Sequence, residues 1–404
     1  MTAAPIPCLA DIADVVRLVV VSDIHATPDG DPPTNVAESK TGAVENALVG
    51  ARDFLDSEIG DADLVICPGD LVHQGEISPT QWTWNELQGL AQALNAATVA
   101  AVGNHDLLRS PRDDQDPAMG LRALTGAHFP LPDKDATNSY WADDFGAFQV
   151  GGCRVISMNT CANHGGFDPK AANFGSFRQH ALRELTDYLQ GQPDGPAINI
   201  CLLHHHPVEW THKGDALHGH LLRGDLLIDL LDQRPEHWMV ISGHKHHPSL
   251  GYLGRSTNGP VWLSAGSIGA EVLTDTGTSV RNQMHVVDIA CNAASALGLR
   301  FAAEIHSYDW EPGRGWSAAN IRSGLPGRCG VGFRRDALEL LSDLDAYLRG
   351  LNRGNIRWSE IVAWDPRWAY LTPGDRQAML GQLERNGGGF TGIDDDATLE
   401  LTFP

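Results

Sequence analysis

Residues 15–106 of this 404-residue chain predict an α/β fold with parallel strands. Two observations carry that prediction. Short β-branched apolar runs alternate with amphipathic segments in the order β-α-β-α-β, the pattern of strands joined by helical crossovers. Each apolar run also breaks off into a polar turn, as a buried strand does when it reaches the edge of its sheet.

"VVRLVVV" (15–21) is the first strand, short and β-branched. Residues 42–59 read as a helix with Val44, Leu48, Ala51 and Leu55 on one face. "DLVICPGD" (63–70) is a second buried strand ending in a Pro-Gly turn. Residues 80–96 read as helical, and "TVAAVGNHD" (98–106) is a third strand with a polar end. Residues 138–159 change character and read as short strands with tight turns, which makes the sheet mixed. Residues 176–190 are helical, with Phe177, Ala181, Leu185 and Leu189 in register. "AINICLL" (197–203), "HWMVIS" (237–242) and "GPVWLSAGS" (259–267) are further strands.

Beyond residue 290 the composition shifts to loop-like "EPGRGW" and "GLPGRCGVG", a helix at 336–351 and a tryptophan-rich stretch with Trp358, Trp364 and Trp368. The expected division is a catalytic domain over 1–290 and a C-terminal extension over 291–404. That extension could dock a partner, although buried tryptophans are the ordinary expectation.

The net charge of −22 argues against general affinity for nucleic acid or anionic membranes, which relies on Lys and Arg neutralising phosphates. The seven cysteines are scattered, and neither their odd number nor their spacing suggests a disulfide framework. The first residues lack a basic segment followed by a long apolar one, and "VVRLVVV" is too short to span a bilayer. The expectation is a soluble cytoplasmic protein.

"SGHKHHP" (242–248) places His244, His246 and His247 within four positions. His-x-His lets two imidazoles reach one metal ion. The other ligands should then lie at the remaining strand ends. The first strand ends in Asp23-Ile-His25, the second in Gly69-Asp70 and the third in Gly103-Asn104-His105-Asp106. The strand at 197–203 ends in His204-His205-His206-Pro207 and the one at 237–242 in Gly243-His244-Lys245-His246. Open α/β sheets bind ligands beyond the carboxyl ends of their strands, so five distant segments converge on one edge.

This ordered set, D-x-H, G-D, G-N-H-D, H-x-P and G-H-x-H, resembles the calcineurin-like metallophosphoesterases over residues 15–290. The HHHP and GHKH blocks look most like the bacterial cyclic-nucleotide phosphodiesterase branch. The resemblance implies an αββα sandwich of two mixed sheets flanked by helices. It implies two divalent metal ions, drawn from Mn, Fe, Zn, Co or Ni for mixed carboxylate, amide and imidazole ligation. By matching position, Asp23, His25, Asp70 and His246 would hold one ion. Asp70 would bridge to a second, completed by Asn104, His205 and His244. His205 is taken from the triple because the family pattern is H-x-P, with His204 or His206 as the alternatives. His105 would face the substrate, and Asp106 would orient it.

The chemistry implied is phosphoester hydrolysis by direct attack of a metal-bridging hydroxide, with no serine or cysteine nucleophile. Two ions about 3.5–4 Å apart neutralise the phosphoryl group and lower the pKa of a shared water. Two carboxylates, neutral imidazoles and an amide leave the loaded site with about one positive charge, so an acidic protein can still bind an anion. His105 suits general-acid work near neutral pH. The expected substrate is an anionic small-molecule phosphodiester such as a cyclic nucleotide. A phosphomonoester, a phosphoprotein, or a non-catalytic scaffold role are the alternatives. H-x-H-x-D-H is missing, which counts against a metallo-β-lactamase fold, and the first strand lacks the His-x-His of an amidohydrolase barrel. Loops at 26–40, 109–118, 160–175 and 208–220 would rim the site, with Phe167 and Trp210 available for stacking and Arg109 and Lys213 for phosphate contact.

Overall fold

The computed structural model describes residues 15–31, 33–108, 111, 114–124, 129–164, 173–192, 198–209, 219–254, 256, 259–270, 272–273, 279–320, 324–392 and 398–404. Phe167, Trp210, Lys213 and Arg109, singled out above as rim residues, lie outside them.

The parallel β-α-β-α-β opening is present. Strands β1 (Val15–Val20), β2 (Leu64–Cys67) and β3 (Ala97–Ala100) pair in parallel, Leu18 opposite Leu64 and Leu64 opposite Ala97. Helices α1 (Ala47–Glu58) and α2 (Ile77–Ala93) make the crossovers. Asn46 starts α1, its side chain accepting from the amides of Leu48 and Val49 and so satisfying two of the free donors of the first turn.

The short helix α3 (Met119–Arg122) leads to α4 (Lys134–Asp143). Residues 138–143 were expected as strand and are helical instead. Asp133 caps the helix by accepting from the Ala136 amide, and buried Tyr140 uses its hydroxyl to accept from the Val102 amide beside β3. A local cap and one long-range hydrogen bond outweigh the strand preference of Tyr140 and Trp141.

The second sheet holds β4 (Phe145–Val150), β5 (Cys153–Met158), β6 (Ile198–Leu202), β7 (His237–Ser242), β8 (Ser249–Tyr252) and β9 (Val261–Ser264), in the order β4-β5-β6-β7-β9-β8. Helices α5 (Ala181–Gln190) and α6 (Gly224–Asp232) cover it. Side chains alternate across its strands as period two requires. Ile198, Ile200, Leu202, Met239 and Ile241 join one apolar cluster that continues through the first sheet to α1 and α2. Cys201, Leu203, Trp238 and Val240 join a second cluster beneath α5 and α6. The four layers are therefore helix, sheet, sheet, helix, which is the αββα sandwich.

After a small hairpin of β10 (Val272–Leu273) and β11 (Ser279–Val280), strand β12 (Gln283–Ala290) runs antiparallel to β1. The sequence division at residue 290 falls inside the fold. Past helix α7 (Cys291–Ala296), strands β13 (Ala303–Glu311), β14 (Gly315–Ala318) and β15 (Arg328–Val331) extend the first sheet from β12. Loop-like glycines on either side hid these strands, yet Ile305 and Val331 are fully buried.

A separate apolar cluster begins at Phe333. It gathers α8 (Ala337–Leu351), α9 (Trp358–Trp364), α10 (Pro373–Arg385) and a three-stranded sheet of β16 (Asn355–Arg357), β17 (Gly389–Thr391) and β18 (Glu400–Thr402). Trp358 and Trp368 are buried there, and Trp364 is partly exposed and stacks on Tyr347 with ring centroids 4.2 Å apart. Among the described residues no helix is long and apolar enough to cross a membrane.

Candidate metal centre

The carboxyl ends of β1, β2, β3, β6 and β7 meet at one edge of the sandwich. Backbone hydrogen bonds set their spacing: the Asp23 amide donates to Gly69, the His25 amide to Asp70 and the Gly243 amide to His204. The amide of His244 donates to both Asp23 carboxylate oxygens, at 3.0 and 3.2 Å, and so joins the edges of the two sheets.

Asp23, His25, Asp70 and His246 form the first group, with their candidate ligand atoms all within 4.8 Å of one another. The Nε2 atoms of His25 and His246 face each other at 3.1 Å. His246 Nε2 is 3.3 Å from Asp23 Oδ1, and His25 Nε2 is 3.5 Å from Asp70 Oδ2. Asp23 and Asp70 are buried. Two imidazole nitrogens and two carboxylates packed this closely exceed what shared protons satisfy, whereas a divalent ion takes every one of these lone pairs. The donor set therefore fits a metal.

The second group gathers on the far side of Asp70. His204 Nε2 is 3.4 Å from Asp70 Oδ2 and 3.0 Å from Asn104 Oδ1, and His244 Nδ1 is 3.1 Å from the same Asn104 oxygen. His204 Nδ1 lies 2.9 Å from the Pro68 carbonyl, which fixes that nitrogen as the donor and aims Nε2 at Asp70. The expectation from H-x-P was His205. His205 has its Nδ1 2.9 Å from Thr160 Oγ1 and its ring 4.5 Å, centroid to centroid, from that of His244, while His204 makes the contacts with Asp70 and Asn104 that were foreseen for it. His206 points elsewhere again, its Nε2 3.0 Å from Ser264 Oγ.

His105 stands beside the first group, its ring edge-on to His25 with centroids 4.6 Å apart. Its orientation comes from the His73 carbonyl, 2.9 Å from His105 Nδ1, and not from Asp106 as expected. The Asp106 carboxylate accepts from the backbone amides of Asp70, Val72 and Gly103, at 3.0, 3.2 and 2.8 Å. Asp106 is a clamp between two ligand loops. His73 was missed in the sequence. Its ring lies 5.3 Å from that of His105, and its only signal was a histidine three residues after Asp70.

The backbone around these ligands is unusual. Asp23, His25, Asp70, His244 and His246 all have positive φ, between 47° and 77°. Non-glycine residues seldom occupy this left-handed region, and its concentration here marks a functional edge. Gly103 is needed for a different reason: a Cβ there would collide with the backbone and carboxylate of Asp70.

Burial and charge set the protonation states. Burial opposes charge on Asp70, but His204, His105 and His25 outweigh it and hold the carboxyl well below its usual range. Burial also opposes charge on His204, and Asp70 reverses this, pushing it up to about 9. Burial drives His25 and His244 well below the usual histidine value, with neighbouring histidines adding to the effect, so both are neutral and ligand-ready. Burial and the Asp70 charge push Asp106 up to about 7 against its amide bonds.

Residues 16–248, more than half of the chain, match the family model for calcineurin-like phosphoesterase. The chain belongs to the calcineurin-like phosphoesterase family. This phosphoesterase is a hydrolase of the metallophosphoesterase type, and the family's cofactor is a pair of divalent metal ions. Among solved structures it is similar to a dimetal phosphatase from Danio rerio, at 10% identity and TM-score 0.48, over 75% of this chain and 98% of that one. It is also similar to a purple acid phosphatase from yellow lupin (Lupinus luteus) seeds, at 13% identity and TM-score 0.46, over 76% of this chain and 53% of that one. A 5'-nucleotidase precursor from Thermus thermophilus matches at 13% identity and TM-score 0.31, over 69% of this chain and 51% of that one. No curated protein sequence matches this phosphoesterase.

Proposed function

We propose that this phosphoesterase is a two-metal phosphodiesterase acting on a small anionic substrate, with a cyclic nucleotide as the leading candidate. The observation that carries the reading is Asp70, whose Oδ2 stands 3.5 Å from His25 Nε2 and 3.4 Å from His204 Nε2. One carboxylate oxygen between two ligand groups is the arrangement of a bridging ligand. Asp23, His25 and His246 would complete one ion, and Asn104, His204 and His244 the other. When bound, the pair of ions polarises the phosphoryl group and activates water.

The protein's own side chains do the rest. Asn104 ligates through oxygen without adding negative charge. His105 Nδ1 is occupied by the His73 carbonyl, so Nε2 is the atom that donates to the phosphoryl or leaving oxygen. The ligand-bearing turns, 22–25, 68–73, 103–106, 204–207 and 243–247, contain one cationic side chain, Lys245, which is mostly buried. A diester is a monoanion and needs fewer cationic clamps than a dianionic monoester, which fits these turns; Arg109 and Lys213 of the rim lie outside the described residues. The net charge of −22 favours a small substrate over a polynucleotide. The described free cysteines, Cys67, Cys153, Cys161, Cys201 and Cys329, fit a reducing cytoplasm.

The test is hydrolysis of bis-p-nitrophenyl phosphate beside p-nitrophenyl phosphate, after chelation and refilling with Mn2+, Zn2+ or Mg2+. Metal-dependent turnover faster on the diester supports the proposal and opens a screen of cyclic nucleotides. Faster turnover of the monoester replaces it with a phosphomonoesterase or protein phosphatase.

A further inference from the structure

The three consecutive histidines serve three different surroundings: the ring of His205 packs against that of His244, with centroids 4.5 Å apart, and also faces residues that the reaction described above does not use. Its ring stands edge-on to His164, with centroids 5.2 Å apart, in the loop that follows β5. Cys161 Sγ, one ring nitrogen of His164 and one of His205 all lie within 4.8 Å of one another. We propose that Cys161, His164 and His205 form a further metal site, mononuclear and suited to zinc, separate from the pair around Asp70. The proposal rests on His204, rather than His205, completing that pair.

Donor chemistry selects the ion. One thiolate and two imidazoles suit zinc and exclude magnesium or calcium, which take oxygen ligands. Three protein donors leave the fourth tetrahedral position for water or a substrate atom. Zinc bonds of about 2.0–2.3 Å put tetrahedral donors inside 4.8 Å of one another, as these three are.

His164 supplies an independent observation. Its Nε2 is 2.8 Å from the Phe174 carbonyl, so that nitrogen carries the proton. Its Nδ1 is then a bare acceptor, and it is buried with no hydrogen-bond partner. A metal-ligating histidine characteristically donates one ring N–H to a carbonyl and leaves the other nitrogen to the metal. The backbone is arranged accordingly. The His164 amide donates to the Cys161 carbonyl at 2.9 Å, closing a turn that brings the two side chains of C-x-x-H together. Gly175 lets the returning strand of the loop lie on His205, since a Cβ there would come within 2.5 Å of the ring. Cys161 is a thiol whose Sγ lies 3.3 Å from the Val102 carbonyl. On binding, its proton passes to solvent and the thiolate takes the metal. The ion would clip the loop after β5 to the residue next to His204, fixing one wall of the catalytic edge.

The experiment counts metal in the full-length protein after equilibrium dialysis against zinc, and records the spectrum of the cobalt-substituted form. The wild type should bind about three equivalents, and the cobalt form should show a thiolate-to-metal charge-transfer band. Cys161→Ala should bind one equivalent fewer and lose the band. His164→Asn, a milder change at a less buried residue, should do the same if the cysteine variant fails to fold. Asp70→Asn should lose the catalytic pair and keep the band. Two equivalents in the wild type with no band would overturn the proposal. In that case, loss of metal in His205→Ala but not in His204→Ala would overturn the His204 assignment as well, whereas loss in His204→Ala alone would leave that assignment standing.

Discussion

His204 Nε2 lies 3.4 Å from Asp70 Oδ2, and that contact joins the second sheet to the first. It makes Asp70 the residue on which both ligand groups depend. Asp70→Asn should therefore lose metal and activity together, with turnover down by more than about a hundredfold. Metal analysis run alongside hydrolysis of bis-p-nitrophenyl phosphate checks this. A variant that keeps both ions and half its activity would contradict it.

His204→Ala and His205→Ala should separate cleanly. The first should lose an ion of the catalytic pair and nearly all turnover. The second should keep that pair. Isothermal titration with Mn2+, an ion that a thiolate site disfavours, reads the difference.

His105→Ala should keep its metals and lose turnover by about 10²–10⁴-fold, the range for removing a general acid. The loss should be smaller for substrates with good leaving groups, which need less protonation. Equal losses on nitrophenyl and alkyl esters would show that His105 does not handle the leaving-group proton.

The metal-free protein should weaken as pH rises. His204 is raised from its ordinary 6.5 to about 9 in the folded chain. Its contribution is then fully present below pH 6.5 and is lost as pH rises through about 9. Thermal unfolding of chelator-treated protein across that window should show a falling Tm, flattened in His204→Gln. Metal uptake over the same range should release protons and strengthen with pH.

Asp106→Ala should act on stability rather than on proton transfer. Three buried amides would lose their acceptor, at about 1–3 kcal/mol for each one left unpaired. Urea denaturation of the metal-free protein measures this. Unchanged stability with a shifted pH–rate profile would return Asp106 to the catalytic role that the sequence suggested.

The strand-end rule was enough to find the edge and most of its residues, because buried parallel strands leave polar chemistry only at their termini. The choice within His204-His205-His206 was not readable, and the reason is the burial of β6 on both faces. Every residue of "INICL" is buried, Asn199 included, and burial on both faces hides which parity faces the first sheet. The structure shows that even-numbered Ile198, Ile200 and Leu202 do so, and His204 continues their register, whereas His205 follows Cys201 and Leu203. β13 to β15 were missed for another reason. β13 pairs with β12, and β14 and β15 pair in turn with β13, and only that pairing overrides the glycine-rich local sequence.

The five left-handed ligands have an evolutionary corollary. Each holds a backbone conformation that costs a side chain of order 1–3 kcal/mol and glycine very little. Selection for thermal robustness alone would therefore convert Asp23, His25, Asp70, His244 and His246 to glycine, and each replacement would remove a ligand. A descendant freed from catalysis should drift in that direction while its four layers stay intact. Glycines at these five positions would be the fossil trace of an abandoned enzyme.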